Sequence, residues 1–274
     1  GAGGTLNAFT TADVTEYHQV VPSHYLDMVL WLESDRLRSL AVTDDNFDNQ
    51  REAVKEEKAL RFDNRPYLLA LQQFFAEVWT GTGYGHLTIG TEEDLSAATT
   101  DDVQRFFDTY YVPNNAVMAV VGDIEYDELE RKVDQYFGDL PRGPDRPPRP
   151  AIDHSMAQPL ARTTEDPLAG QPLYLIGWKT VPKRHPDYQA VRILMNVLLR
   201  GDSSRLTRLL KDERRMVVAS IPTDSMGGGI DAGVSAGAFV PTAGHDFASI
   251  QQVVRAEVAK VKKRGITSKE LQKA

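Results

Sequence analysis

The chain contains no cysteine, so disulfide bonds, thiol chemistry and cysteine-ligated metal are all excluded. It also has no apolar run that approaches the length needed to cross a bilayer, and no membrane-spanning helix is expected. The compartment stays open, because a chain without cysteine suits the cytosol and the periplasm equally well.

Positive charge is also in short supply. The 31 lysines and arginines are outnumbered by 39 aspartates and glutamates, which gives a formal net charge of -8. This balance argues against nucleic acid as the main partner, because phosphate binding needs a basic face. With 41% hydrophobic and 26% charged residues the composition is that of a globular protein, and 274 residues suffice for two domains.

A proline-rich stretch at residues 140–150 separates the two predicted domains. Proline at this density resists both helix and sheet, so the stretch is typical of a semi-rigid linker. We therefore place one domain at residues 1–150 and a second at residues 151–274.

Hydrophobic periodicity predicts a mixture of strands and helices in both domains. The predicted strands are Leu6–Thr10 and Thr15–Val21, which form a hairpin, and residues 116–121, 172–178, 217–221 and 230–240. The predicted helices are residues 23–40, 46–64, 67–78, 91–98, 100–111, 126–137, 187–199, 203–215 and 246–264. The glycine-rich turn at residues 80–85 is not interpreted as a phosphate loop, because it neither follows a strand nor opens a helix with the required residues.

An internal similarity relates Gly228–Ala274 to Gly3–Ala53. Each region has a glycine pair, two strands, a proline, a long amphipathic helix and a threonine cap that opens another helix, so the two domains are predicted to be homologous. By this comparison both domains are truncated and both chain ends look cut. A helix similar to the one at residues 187–199 is expected to precede Gly1.

The predicted helix at residues 46–64 carries a carboxylate at a position where a helix normally buries an apolar side chain. If Phe47 and Val54 mark its inward face, Gln50 and Glu57 lie on the same face. A carboxylate removed from water is costly unless it is paired, hydrogen-bonded or bound to a cation, so an inward Glu57 needs a partner. The alternative is a different helical phase, with Glu56 and Glu57 both facing solvent.

Several short motifs occur together along nearly the whole chain. They are Gly3-Gly4-x-x-Asn7-Ala8-x-Thr10-x-x-Asp13-x-Thr15-x-Tyr17, Gln50-Arg51-Glu52-Ala53-Val54-Lys55-Glu56-Glu57, Tyr84-Gly85-His86-x-x-Ile89-Gly90, Tyr111-x-Pro113-Asn114-Asn115-Ala116, Val121-Gly122-Asp123, Gly177-Trp178 and Ser203-Ser204-Arg205-Leu206. Each is weak alone, but jointly they are specific. The chain resembles the pitrilysin or insulinase family of zinc metallopeptidases (M16), in particular its bacterial processing-peptidase-like branch.

The resemblance implies an α+β fold of two homologous domains, each a mostly antiparallel sheet flanked by helices. It also implies Zn²⁺ held by a His-x-x-Glu-His motif, whose glutamate activates water, with Glu57 as the third protein ligand. Gln50 stands where the family commonly has glutamate. By hydrogen bonding, its amide could orient a neighbouring metal ligand, but it supplies less negative field to the site.

His-x-x-Glu-His does not occur in this chain. The six histidines, none of which has a partner at the spacing needed to bind one metal from one helical face, are His18, His24, His86, His154, His185 and His245. We therefore interpret the chain as part of a longer zinc endopeptidase whose metal-binding segment lies elsewhere. By itself the chain is expected to bind zinc poorly and to cleave nothing, and His86 is interpreted as structural.

By resemblance, the first strand is an open sheet edge that receives a peptide or protein substrate as an added strand, through Asn7, Ala8, Phe9 and Thr10. An ordinary edge strand is the alternative. A second functional hypothesis is a non-catalytic pitrilysin-like partner or scaffold subunit, which the missing histidines and Gln50 favour and Glu57 opposes. The resemblance is compatible with a homo- or heterodimer of related subunits and modestly favours the periplasm.

Overall fold

The computed structural model of the protein describes residues 3–153, 155, 158–223, 230, 231 and 233–274. In chain order its strands are β1 (Thr5–Thr10), β2 (Thr15–Val20), β3 (Tyr174–Thr180), β4 (Val217–Thr223) and β5 (Gly233–Pro241). Its helices are α1 (Leu26–Ser39), α2 (Asp44–Lys58), α3 (Leu68–Val78), α4 (Glu92–Ala97), α5 (Thr100–Tyr110), α6 (Tyr126–Phe137), α7 (Tyr188–Leu199), α8 (Arg205–Thr207), α9 (Phe247–Arg264) and α10 (Ser268–Lys273). None of the helices within these ranges is long and apolar enough to cross a membrane.

The chain forms two compact units. The first comprises Gly1–Thr10, Val14–Lys58 and Ile89–Pro150, and the second comprises Thr11–Asp13, Ala59–Thr88 and Ala151–Ala274. One border between the units falls after residue 150, and the predicted division into two domains stays a prediction. Residues 59–88 group with the second unit, because side chains of α3 share a core cluster with β5. The homology of the two predicted domains stays a prediction.

In the first unit, β1 and β2 form the predicted antiparallel hairpin, with Thr5 opposite Val20 and Thr10 opposite Thr15. The helices α4 and α5 begin at capping boxes, in which Thr91 and Thr99 accept from the amides of Asp94 and Asp102. These elements follow from local sequence signals that need no distant partner.

Salt bridges and hydrogen bonds join helices α1 and α6 within the first unit. Asp27 on α1 accepts from the Lys132 ammonium at 2.6 Å and from the Tyr136 hydroxyl at 3.1 Å, both on α6. The Arg38 guanidinium forms a salt bridge with Asp139 just beyond α6. The lysine lowers the pKa of the Asp27 carboxyl, as expected for a carboxylate beside a cation.

The strand predicted at residues 116–121 is wrong. The segment forms no strand, and Val117 and Val121 are 99% and 97% exposed. Its apolar composition suits a sheet, but a strand exists only when a neighbour hydrogen-bonds to it, and none of the residues that the structure describes does so. The composition of this segment therefore indicates its β-propensity, but it does not show whether another strand pairs with it.

Two predicted helices change geometry along their length. The helix predicted over residues 46–64 is α-helical to Lys58 and π-helical over Ala59–Asp63, and the one predicted over residues 203–215 is α8 followed by the π-helical segment Arg208–Glu213. A π-helical turn contains an extra residue and is common at functional sites. Side-chain periodicity in the sequence does not distinguish it from an α-helix.

In the second unit, β5 lies between β3 and β4 in an antiparallel three-stranded sheet. Helix α7 packs directly on β5, since a Cβ on Gly237 would lie 2.7 Å from Leu199 Cδ2. The strand predicted over residues 230–240 is observed from Gly233 onward, while residue 232 and residues 224–229, which include Gly228, lie outside the described residues. From β5, the order of strand, proline, long helix and capped helix matches that of β2, Pro22, α1 and α2.

Buried residues are unevenly divided between the units. Within the described residues, those of the first unit are Leu30, Ser34, Lys58 and Phe107. The second unit contains two apolar clusters, one around Phe239, Leu206 and Ile250 and one around Trp79, Phe75 and Val234. Most of the apolar burial that stabilises the described chain therefore lies in the second unit.

Candidate functional site

Glu57 lies in the last turn of α2, directly before the π-helical segment. Its side chain is half-buried, whereas that of Glu56 is exposed. The alternative in which both glutamates face solvent therefore does not describe this helix. The difference matters chemically, because a partly desolvated carboxylate binds a cation more strongly than one surrounded by water.

The inward stripe of α2 differs from the predicted one at Gln50, which is exposed. The stripe instead runs through Phe47, Arg51, Val54 and Lys58, with steps of four, three and four residues that follow the 3.6-residue period. The Arg51 guanidinium lies over the Phe47 ring, 5.0 Å from its centroid. A metal-orienting role for Gln50 stays a prediction.

The described residues do not by themselves fit a zinc ion. Among them, no group of three histidines, aspartates or glutamates could hold a metal. His86 is exposed, with Nδ1 2.9 Å from the carbonyl oxygen of Leu87, and His154 lies outside the described residues. Because protein zinc sites use four ligands, Glu57 can be only one member of a site completed by other residues.

Strand β1 has the geometry of an open edge. All six of its residues are exposed, and β2 is its only strand partner among the described residues. The register places Asn7 opposite His18, and Ala8 opposite Tyr17. The backbone N–H of Ala8 donates to Oδ1 of Asn7 at 2.8 Å, so a short side chain satisfies one of the strand's donors.

The two faces of the hairpin carry different side chains. Since neighbouring residues of a strand point to opposite faces, Asn7 and Phe9 share one face with His18, where the Phe9 and His18 rings lie 6.2 Å apart. Ala8 and Thr10 share the other face. The four predicted substrate-binding residues are therefore brought to one exposed strand, while their contact with a peptide stays a prediction.

Asp13 and Tyr84, which belong to two of the sequence motifs, meet within the second unit. The Tyr84 hydroxyl donates to Asp13 Oδ1 at 2.6 Å, and the Ile230 amide donates to Oδ2 at 2.6 Å. Burial, followed by this hydrogen bond, raises the pKa of Tyr84 to about 12. A Cβ on Gly85 would lie 2.9 Å from the Trp79 carbonyl oxygen, so glycine lets the turn after α3 close tightly beside Tyr84.

Replacing Tyr84 with Phe is expected to lower the free energy of unfolding by about 1–2 kcal/mol, because the Asp13 carboxylate loses a charge-assisted hydrogen bond. Urea denaturation measures the change. Tyr126→Phe is the matched control, since Tyr126 is 73% exposed and its loss of a hydroxyl is expected to change stability by less than about 0.5 kcal/mol. Equal midpoints for Tyr84→Phe and the wild type would contradict the assignment.

The sequence motifs did not reveal how Asn114 is used. Its side chain accepts from the Gly143 amide at 2.8 Å and donates to the Pro144 carbonyl at 3.1 Å, which fixes the start of the proline-rich stretch. A Cβ on Gly143 would lie 2.3 Å from Val112 Cγ1, so glycine is required for this close approach. The sequence alone does not show that Asn114 hydrogen-bonds to Gly143 and Pro144, because these residues lie about 30 positions apart.

Comparison with known proteins gives a consistent result. Residues 97–274 match the family described as Peptidase M16 inactive domain. The zinc protease PqqE of Helicobacter pylori is 30% identical over 217 residues, which cover 78% of this chain and 49% of that protein. An uncharacterized zinc protease of Mycobacterium leprae is 30% identical over 273 residues, covering 98% of this chain and 60% of that protein. The chain thus spans about half to three fifths of the length of these relatives.

Solved structures share the fold. A protease from Helicobacter pylori superposes with a TM-score of 0.84 at 27% identity, covering 99% of this chain and 66% of that one. A peptidase M16 inactive domain from Pseudomonas fluorescens gives 0.79 at 18% identity, with coverages of 99% and 65%. The ferredoxin protease FusC, solved with Arabidopsis ferredoxin, gives 0.71 at 19% identity, with coverages of 98% and 30%.

The fold and the zinc proteases among the relatives define the class as metallopeptidase-related α+β proteins with small antiparallel sheets. Within this class the chain belongs to the M16, pitrilysin-like, peptidase family. The resemblance inferred from the sequence motifs is confirmed.

Proposed function

We propose that the full-length protein is a zinc-dependent endopeptidase, to which this chain contributes one metal ligand, Glu57, and a peptide-binding strand, β1. The observation that carries the proposal is the half-buried Glu57 at the end of α2 in a chain whose relatives are named zinc proteases. When bound, zinc would polarise the scissile carbonyl and activate a water molecule.

Two residues of this chain, Glu57 and Gln50, would then act at the metal in different ways. The Glu57 carboxylate supplies one oxygen ligand and a negative charge that helps to offset the charge of the metal. Gln50 would act on a ligand by hydrogen bonding, with a weaker field than a carboxylate would give.

Strand β1 would hold the substrate. An extended peptide can pair with an open strand edge through its backbone, whatever its sequence, while alternate side chains meet the two faces of the sheet. Asn7, Ala8, Phe9 and Thr10 lie along this edge. A protease neighbour solved with a protein, ferredoxin, supports a peptide or protein as the substrate.

Metal removal tests the proposal on the full-length protein. Labelled casein should be cleaved by protein containing about one zinc per chain, and 1,10-phenanthroline should abolish cleavage until zinc is restored. The 274-residue chain is the control and is expected to leave casein intact, because it contributes a single ligand. Cleavage that continues in metal-free protein, or a full-length protein that neither binds zinc nor cleaves casein, would overturn the proposal.

A further inference from the structure

We propose that Tyr17, Tyr111 and Arg36 are positioning residues for substrate binding, because they hold the hairpin in the place where a peptide can pair with β1. The inference rests on the proposed function of β1. It assigns the three side chains to holding the peptide-binding strand in position, and gives them no contact with the peptide or the reacting atoms.

Strand β1 depends on β2 for its position. Every residue of β1 is exposed, including Leu6 at 82%, so the strand has little apolar burial of its own. Its register partner β2 is therefore the element through which it is held. Whatever fixes β2 also fixes the open edge.

Tyr17, at the centre of β2 and opposite Ala8, makes two contacts on one face of the hairpin. Its hydroxyl oxygen lies 2.7 Å from that of Tyr111, which follows α5, and the Arg36 guanidinium of α1 lies 4.3 Å from the centroid of its ring. Tyr111 in turn stacks on the buried ring of Phe107 at 5.1 Å. A continuous row of contacts therefore runs from the interior of the first unit to the strand beside β1.

A second contact on the same face strengthens this attachment. Gln19, two residues along β2, donates a hydrogen bond to the Glu33 carboxylate of α1. Arg36 also pairs with Glu33, at 3.3 Å, so the guanidinium that covers the Tyr17 ring is itself held in place. Two side chains of β2 thus fix its orientation as well as its position.

The Tyr17 hydroxyl does not titrate near neutral pH. Burial, followed by the hydrogen bond to Tyr111, raises the pKa of Tyr17 to about 12. The Tyr17 hydroxyl therefore keeps its proton, and with it the hydrogen bond to Tyr111, over the working range of a peptidase. The contribution of the Tyr17 hydroxyl to the attachment should be independent of pH between about 6 and 9.

A strand held in advance binds a peptide more tightly than a mobile one. Pairing with a loose edge costs the entropy of ordering that edge, whereas a fixed edge has already lost it. Loosening β2 should therefore weaken peptide binding, because the penalty falls on association. The turnover number should not change, since the proposal gives none of the three residues a role at the metal or at the reacting bond.

The test uses three variants of the full-length protein: Tyr17→Phe, Tyr111→Phe and the double variant. Each single variant should weaken the affinity of metal-free protein for a labelled casein peptide by about two- to fivefold, the equivalent of one net hydrogen bond. Amide exchange in residues 5–10 should accelerate by a similar factor. The double variant should equal the single ones, because both remove the same hydrogen bond.

Tyr110→Phe is the matched control, since it removes a neighbouring hydroxyl that lies outside this row of contacts. It should leave both peptide affinity and exchange unchanged. Additive effects in the double variant, or unchanged exchange in residues 5–10, would overturn the inference. Peptide affinity and amide exchange are measured on metal-free protein, so neither depends on catalysis. They therefore test the role of the tyrosine pair even if casein is not cleaved and the peptidase proposal fails.

Discussion

Glu57→Gln in the full-length protein is expected to weaken zinc binding by more than about 100-fold, since even the hydrogen-bonding partners of zinc ligands contribute 10- to 100-fold. The substitution keeps the size of the side chain and removes the charge, and an amide oxygen is a poor zinc ligand beside carboxylate and imidazole. Equilibrium dialysis against a zinc chelator measures the affinity, and casein cleavage should fall in parallel.

Glu56→Gln provides the control within the same turn of α2. It removes the same charge from an exposed position, so a general electrostatic effect on zinc would act in both variants. Only Glu57→Gln should lose the metal. Equal zinc affinity in the two variants would refute the ligand assignment, and the opposite pattern would transfer it to Glu56.

Arg205→Met is expected to lower the free energy of unfolding by about 3 kcal/mol, because it leaves a buried carboxylate without its cation. The guanidinium donates to Glu270 Oε1 and Oε2 at 2.6 and 2.8 Å and to Glu257 at 3.3 Å. Glu257 is 7% exposed, although Lys260 at 3.0 Å retains part of its compensation. Urea denaturation of the chain should show the loss.

Arg208→Met is the control, three residues along the same segment. Arg208 pairs with Glu213 at 3.0 Å, but both side chains are exposed, so the loss should stay below about 1 kcal/mol. A comparable loss in the two variants would indicate that burial does not distinguish the two pairs.

The ion pair between Arg205 and Glu270 also predicts how the stability of the fold depends on pH. Its hydrogen bonds lower the pKa of Glu270 from 4.5 to about 2 in the folded chain. A carboxylate with a depressed folded pKa stabilises the fold above its unfolded pKa and loses that contribution as pH falls through the folded value. Wild-type stability should therefore fall between about pH 4.5 and 2, and Arg205→Met should flatten this part of the profile.

The elements predicted from sequence with most success are those set by local signals. Helices α4 and α5 lie where helices were predicted, and the predicted threonine cap near the chain end is observed at Thr267. Their capping boxes at Thr91, Thr99 and Thr267 are local, because a cap is satisfied by residues three positions away. The hairpin β1–β2 follows in the same way from two short strands and their connection.

The failures concern interactions with distant residues. Residues 116–121 have the composition of a strand, yet pairing depends on a neighbour that composition does not identify. The grouping of α3 with the second unit is also not visible in the sequence, because it depends on core contacts with Val234 and Ala236, more than 150 positions away.

For the candidate site residues, the sequence predicted local burial but not contacts with distant residues. The half-burial of Glu57 follows from helical periodicity, whereas Gln50 lies off the stripe because the helix buries the i+4 neighbour of Phe47. The contact between Tyr17 and Tyr111 joins residues 94 positions apart. Both are motif residues, which was a signal of importance but gave no indication that they meet.

The exposed valines at 117 and 121, together with the open edge of β1, bear on the colloidal behaviour of the chain. Apolar surface beside unpaired backbone groups favours association between molecules. The net charge of -8 opposes it by mutual repulsion. Since the Debye length shrinks to about 3 Å in 1 M salt, this repulsion weakens as ionic strength rises, and dilute buffer is the medium in which the chain stays dispersed.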